Sequence, residues 1–205
     1  PLQALRLRLE NLEHDVADGI PADSRDLEGS LAEVARMSRL VDGLLILARA
    51  EQQLSAPIRT NVAELVAGRI DAWSAFADDQ GVNITSTVAL GLNACITSGN
   101  LEQALDNLLS NAIEASPSGG AVVISSSTNE AGSVLLTVSD SGGGMTPEQI
   151  DRAFDRFWRP AGAGSGGSGL GLAIVRGLIE ADAGSVELAP SASGGLQVLI
   201  NLKAC

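Results

Sequence analysis

Apolar positions in the first fifty residues recur at helical spacing. Leu2, Leu5, Leu9, Leu12 and Val16 follow one another at intervals of three and four, with Arg6, Arg8, Glu10, Glu13 and Asp15 between them. This predicts one amphipathic helix over residues 1 to about 18. Gly19-Ile20-Pro21 interrupts it, and a second stripe then runs Leu27, Leu31, Val34, Ser38, Val41, Leu45, Ala48 with heptad-like spacing. Two such helices joined by a short turn make an antiparallel hairpin whose apolar stripe is too wide for one partner to cover. Two chains closing a four-helix bundle are the natural completion, and a monomeric hairpin packed on its own following domain is the alternative.

The helical period stops around Gln52 to Pro57, where the pattern turns to mixed helix and strand. The expected division is therefore a hairpin over residues 1–52, a linker over 53–57 and a second domain over 58–205. Within that domain residues 62–80 read as a helix, and Val82, Ile84 and Val88 alternate with Asn83, Thr85 and Thr87 as a half-buried strand. Asn100 reads as an N-cap, with Gln103 closing a capping box at the head of a four-turn helix. Strands follow at 121–127 and 133–139, then a short helix near 147–153. Leu170, Ile174, Gly177, Leu178 and Ala181 keep a helical period, and Leu196, Val198, Ile200 and Leu202 alternate as a final strand. Mostly antiparallel strands with helices on one face predict an α+β fold: the helical hairpin followed by an α/β sandwich.

Composition narrows the chemistry. With 45% hydrophobic residues the chain can bury a core, but it has only three Phe, two Trp and no Tyr, so Leu, Val, Ile and Ala must build that core. The net charge of −12 repels nucleic acid, which is excluded as a partner, and also repels free polyphosphate. A bound nucleotide would need a cation and local backbone donors. Cys95 and Cys205 form no C-x-x-C pair and do not read as a disulfide scaffold, so a reducing cytoplasm is the simplest setting. The longest nearly apolar stretch, Leu44 to Ala48, is far short of the roughly 20 residues of a spanning helix. Any membrane attachment is expected to come through an upstream part of the protein.

Three segments carry candidate chemistry. Gln103, Asn107, Asn111 and Glu114 share one face of the helix after Asn100, opposite Leu101, Leu105, Leu108 and Ala112. Two Asn in one stripe are poor helix formers, yet their amide oxygens suit Mg²⁺ carried on phosphates; a merely solvated face is the other reading. Asp140-Ser141-Gly142-Gly143-Gly144 stands where a strand ends. A buried carboxylate there can accept from an exocyclic amine while the glycines let a flat ring approach, and a tight turn explains the glycines equally well. Gly167-Ser168-Gly169-Leu170-Gly171-Leu172 enters a helix whose free N–H groups favour phosphate. It lacks the Lys-Ser/Thr pair of a P-loop and a strand leading into it, and a flexible linker is its alternative.

The order of these segments is the specific signal. Gln103-Ala-Leu-Asp-Asn107-Leu-Leu-Ser-Asn111-Ala, Asp140-x-Gly142-x-Gly144, Phe154-Asp-Arg156-Phe157-Trp-Arg159 and Gly167-Ser-Gly169-Leu-Gly171-Leu closely resemble, in sequence, the N, G1, F and G2 boxes of bacterial sensor histidine kinases. Arg36-Met37-Ser38-Arg39-Leu40-Val41 with Leu44-Leu45 resembles the second helix of that family's dimerisation domain, so the likeness covers nearly the whole chain.

The resemblance implies that ATP and Mg²⁺ are the ligands, with Asn111 on the metal and Asn107 in the same pocket. Asp140 would hold the adenine amine over Gly142 and Gly144. Gly167, Gly169 and Gly171, with Leu170 and Leu172 in the same stretch, would close over the phosphates, and Arg156 and Arg159 are candidates for the γ-phosphate or for anchoring a lid over residues 159–166. Relatives that hydrolyse ATP place a Glu where this chain has Asn107, and an amide is no general base, which favours transfer to a side chain. Glu114-Ala115 replaces the family's usual cation and aromatic or His, and Asp182-Ala183-Gly184 replaces a His-Gly-Gly that is expected to be structural. Pro1-Leu2 matches the end of the phosphoacceptor motif His-Glu-x-x-x-Pro, so the phosphorylated histidine is expected five residues before Pro1. The only histidine, His14, lies off the apolar seam and within reach of Glu10, and is not expected to be the acceptor. The implied function is a cytoplasmic kinase core, homodimeric through residues 1–52, passing phosphate to a response-regulator aspartate. A phosphatase-biased or non-catalytic nucleotide-binding scaffold is the alternative, and a purely structural coiled coil leaves the Gly-rich loops unexplained.

Overall fold

A computed structural model of the chain describes residues 56–129, 132–160 and 167–205, together with Gly29, Leu31, Val34, Met37, Val41 and Gly43. Those six isolated residues are helical, as the second apolar stripe predicts. The rest of the hairpin, His14 and most of the linker and lid lie outside the described residues.

Strand β1 (Ile58–Asn61) runs directly into helix α1 (Val62–Gln80). Asn61 makes the junction: its Oδ1 accepts from the N–H groups of Ala63 and Glu64, satisfying two donors that the first turn leaves open. Gly81 ends the helix with φ 68°, where a Cβ would also lie 2.6 Å from Ser118 Oγ. Sequence reading and structure agree on 62–80 because both end signals are local.

The remaining elements are β2 (Asn83–Thr87), β3 (Asn93–Ile96), α2 (Asn100–Ala115), β4 (Ala121–Thr128), β5 (Val134–Ser139), α3 (Pro147–Arg152), α4 (Gly171–Ala181), β6 (Ser185–Pro190) and β7 (Leu196–Leu202). Five strands form one sheet in the order β2-β4-β5-β7-β6, antiparallel except for the parallel β2–β4 pair, and β1 and β3 form a separate two-stranded ladder. Register places Ile124 beside Val138, Val138 beside Val198, and Leu136 beside Ile200, so one sheet face is continuously apolar. Leu101, Leu105, Leu108 and Leu109 of α2 and Ile174, Val175, Leu178 and Ile179 of α4 join these residues in one buried cluster. The α+β class expected from the pattern is the one observed, and the apolar face of α2 is buried as its spacing predicts. Truncating a fully buried leucine such as Leu105 would cost about 2–5 kcal/mol.

Two local expectations are overturned. Asn100 is not the N-cap: Gly99, at φ 88°, holds that position with no side-chain cap, and the Asn100 amide instead donates to Asp182 Oδ2 at 2.8 Å. Thr97 Oγ1 donates to the other oxygen of the same buried carboxylate at 2.6 Å, so Asp182 ties the C-terminal end of α4 to the entry of α2. Asn100 is the first helical residue, its Nδ2 turned toward Asp182 instead of its oxygen toward the first turn, and the role of Asp182 is structural, as expected. Among the described residues a capping box stands instead at Thr146 and Gln149, opening α3.

The two cysteines are also paired, contrary to the reading from their spacing. Cys95 and Cys205 are bonded through sulfur at 2.00 Å with Cα atoms 5.0 Å apart. The Cys95 N–H donates to the Lys203 carbonyl and Ala94 pairs with Ala204, so the backbone after β7 lies beside β3. Non-local strand pairing, which 110 residues of separation conceal, brings the thiols within reach. Among the described residues no helix is long and apolar enough to cross a membrane.

Candidate functional site

Strand β5 ends at Ser139, and the next residue, Asp140, is held at the sheet edge by its neighbour strand. Its N–H donates to the Leu196 carbonyl at 3.0 Å, and its Oδ1 accepts from the N–H of Leu196 at 3.1 Å and of Gly142 at 2.8 Å. Ser193 Oγ donates to the Asp140 carbonyl. Oδ1 is thereby occupied twice by backbone donors, and Oδ2 is the oxygen left for a ligand. Only 7% of the residue is exposed. Burial raises its pKa above the ordinary carboxylate value, opposed by the hydrogen bonds from Gly142 and Leu196.

The floor beside Asp140 is backbone meeting backbone. A Cβ at Gly142 would lie 2.6 Å from the Ala115 carbonyl at the end of α2. Gly144, at φ 67°, would place one 2.8 Å from the Gly194 carbonyl, and Gly195 would place one in direct collision with Asp140. Glycine at these positions is a requirement of close approach rather than of turning alone.

The opposite end of the same cavity is the N-terminus of α4. Its N-cap, Leu170, offers no side-chain acceptor and its first turn holds no acid, so its leading N–H groups and positive dipole end are available to an anion. Gly171 abuts α2, where a Cβ would lie 2.8 Å from Asn111 Nδ2. Leu170 is itself fully buried and anchors the loop from below. Gly169, at φ 70°, packs on the backbone of Phe157, whose N–H donates to the Gly169 carbonyl at 2.8 Å. The F and G2 segments are thus one unit. Arg159 donates to the Gly167 carbonyl at 3.1 Å, joining the residues that flank 161–166.

Between the two ends lies a cavity of about 820 Å³, lined by Asn107, Asn111, Asp140, Gly144, Arg159, Gly167, Gly169, Gly171 and Leu172 among others. Most of the residues singled out from sequence are therefore brought together. Gly142 shapes the floor without lining the cavity, and Arg156 is exposed and does not line it. Asn107 donates through Nδ2 to the Gln103 carbonyl at 2.8 Å, leaving its Oδ1 for the cavity. The Asn111 amide stands exposed, with no hydrogen bond to another described residue.

Three contributions were not assigned to the site from sequence. Gly195 and Leu196 hold Asp140 across 56 residues of sequence, with no linear signal beyond a Gly-Gly turn. Met145 and Trp158 line the walls, and neither repeats at a telling period. Gly43, from the N-terminal helix, is buried against α4, where a Cβ would lie 3.0 Å from Ile174 Cδ1 and 3.1 Å from Leu170 Cδ1. It also contributes to the cavity wall.

The sequence and the fold both have known relatives. Residues 97–204, more than half of the chain, match the histidine kinase-, DNA gyrase B-, and HSP90-like ATPase family. Over 85% of its length the chain is 35% identical to the sensor histidine kinase CusS of Escherichia coli, covering 37% of that protein. It is 31% identical over 98% of its length to the signal transduction histidine-protein kinase BaeS of Escherichia coli, covering 44% of it. The chain thus spans less than half the length of these relatives. The fold superimposes on the histidine kinase AdeS of Acinetobacter baumannii with a TM-score of 0.77, covering 100% of this chain and 95% of that one at 24% identity. A buried acid held at a strand end, glycine-floored and facing an open helix N-terminus, is thus found in a chain that belongs to the histidine kinase-, DNA gyrase B-, and HSP90-like ATPase family.

Proposed function

We propose that the chain binds ATP with Mg²⁺ and forms the catalytic core of a sensor histidine kinase. The observation that carries this reading is the polarity of the cavity. One end presents the one carboxylate oxygen of a buried acid that has no backbone donor, Asp140 Oδ2, and the other the first-turn N–H groups of α4, which no side chain caps. A purine with an exocyclic amine joined to a polyphosphate matches both ends. Asp140 Oδ2 would accept from the adenine amine, with Gly142 and Gly144 letting the ring lie against backbone. Gly167, Gly169, Gly171 and the first turn of α4, including Leu172, would hold the phosphates by main-chain donors. Arg159 stands at the same end, and Arg156 remains a candidate only through rearrangement of the F segment.

The residues present suit a metal that arrives with its nucleotide. Among the described residues no group of three His, Cys, Asp or Glu side chains would hold an ion unaided. One or two protein oxygens suffice for Mg²⁺ that keeps waters and phosphate ligands. Asn111 would supply one beside the start of α4, Asn107 would line the same pocket, and the ion would neutralise charge on the phosphates. With an amide at Asn107 in place of an acid, the chain's own contribution is positioning and electrostatic stabilisation rather than activation of water.

The γ-phosphoryl group would pass to an imidazole nitrogen of a histidine preceding Pro1, with ADP released, and then to an aspartate of a response-regulator receiver domain. Leu31, Val34 and Val41 are 61%, 49% and 56% exposed on their helix, which supports burial of that stripe in a second copy and a homodimer through residues 1–52. Placement as the cytoplasmic portion of a membrane sensor follows from the kinase reading alone, since the Cys95–Cys205 bond removes the argument from unpaired cysteines.

Titration with a fluorescent ATP analogue tests the site, and γ-labelled ATP tests transfer. The chain should bind the analogue saturably and take no label, whereas a chain extended upstream should be labelled. Label on this chain would overturn the expectation that His14 is not the acceptor. No label on the extended chain, despite binding, would favour the non-catalytic scaffold.

A further inference from the structure

Glu114 occupies a part of the cavity for which neither the base end nor the phosphate end accounts. It lies on the same face of α2 as Asn107 and Asn111, is exposed, and lines the cavity together with Ser110. Ser110 Oγ donates to its Oε1 at 3.2 Å, which fixes the carboxylate one helical turn from the hydroxyl and leaves Oε2 unengaged.

Its position along the helix gives it a chemistry. Asn111 abuts Gly171 at the phosphate end, and the Ala115 carbonyl abuts Gly142 at the base end. Between those residues α2 advances about 6 Å, at 1.5 Å per residue. Whatever joins a base resting near Asp140 to phosphates on α4 must cross this stretch, and in a nucleotide that connecting unit is the sugar. A carboxylate is an acceptor without a donor, so it repels phosphate and takes hydroxyl groups. Vicinal ribose hydroxyls present two donors, and an acidic residue reads the same hydroxyl in dinucleotide sites of unrelated fold.

We infer that Glu114 recognises the ribose hydroxyls and makes this cavity selective for ribonucleotides over nucleotides lacking them. The inference rests on the nucleotide reading of the cavity. It also reverses the significance of the missing cation at this position: the carboxylate excludes phosphate from the middle of the cavity and fixes which way round the ligand lies.

Calorimetric titration of the wild-type chain and of Glu114→Ala with ATP and with 2′,3′-dideoxy-ATP, each with Mg²⁺, tests it. Because Glu114 is exposed on its helix, the variant should keep the wild-type circular dichroism spectrum. The wild type should bind ATP about tenfold or more tightly than the dideoxy analogue, as for a hydrogen bond to a charged group. In Glu114→Ala that ratio should collapse to about twofold or less, and Ser110→Ala should lower it partially. Equal affinities in the wild type overturn the inference, as does a ratio that survives the substitution. Equal tightening of both ligands in Glu114→Ala also overturns it, showing a carboxylate that only repels. If neither nucleotide binds the wild type, the nucleotide site itself is refuted rather than the assignment of Glu114 alone.

Discussion

The two ends of the cavity are built differently. At the base end Asp140 is buried, one of its oxygens is saturated by two backbone donors, and three chain segments meet so closely that Gly142, Gly144 and Gly195 have no room for a Cβ. At the phosphate end Asn111 is exposed, the α4 terminus has no side-chain cap, and Arg159 engages a loop carbonyl. One end is complete before any ligand arrives; the other leaves the first-turn N–H groups of α4 without a side-chain cap. Preformed geometry suits discrimination of a base by a single hydrogen bond, since any misplacement would lose it. An open terminus suits phosphates, which bring their own charge and cation and tolerate many donor arrangements.

This contrast is first tested by removing what the two ends share. The disulfide closes most of the sandwich into one loop, and Cys95→Ser should lower unfolding free energy by about 3–5 kcal/mol in the oxidised protein. Urea melts with and without reductant would measure it. Nucleotide affinity below the transition should stay within about twofold, because neither end of the cavity touches the bond. An affinity that falls with reduction would show that the base end borrows its rigidity from afar.

Gly195→Ala should strike the base end alone. The new methyl collides with Asp140, and displacing that carboxylate should weaken ATP binding about a hundredfold while thermal stability falls only modestly. Asn111→Ala should weaken the phosphate end about tenfold in Mg²⁺ and leave binding in chelator unchanged. Loss that persists in chelator would remove the metal assignment.

The smallest expected effect is that of pH. The folded-state pKa of Asp140 is raised, so on acidification it protonates in the folded protein before ordinary carboxylates do. ATP affinity should therefore fall several-fold at mildly acidic pH, above the range in which ordinary carboxylates protonate. The stability contribution has the opposite sign: an acid with a raised folded pKa disfavours folding when ionised, and that penalty is relieved as pH falls through the folded value. A melting temperature and an affinity that move in opposite directions would identify Asp140 as the titrating group.

What the sequence disclosed follows the same division. Helix α2, with its Leu101-Leu105-Leu108 stripe opposite Asn107 and Asn111, was legible because helical period is local, and so were α1, β4, β5 and β7. Strands β1 and β3 escaped notice because four residues are too few to show a period against their turns, and β6 also went unread. The phosphate end was readable as glycines entering a helix. The base end was readable only as Asp140 and two glycines, because its other half, Ser193 to Leu196, comes from a turn more than fifty residues away. Asn100 misled for the same reason, its amide being claimed by Asp182 at a separation of 82 residues.

The central claim is that Asp140 Oδ2 reads an exocyclic amine. Asp140→Asn tests it most directly, because the amide oxygen can keep both backbone donors while Nδ2 replaces the free acceptor with a donor. Titration of wild type and variant with ATP and inosine triphosphate, which carries a carbonyl where adenine carries its amine, should show preference for ATP in the wild type. In the variant that preference should be lost or inverted, with ATP affinity down at least about tenfold. An Asp140→Asn chain that still binds ATP as tightly, and still prefers it, would contradict the account.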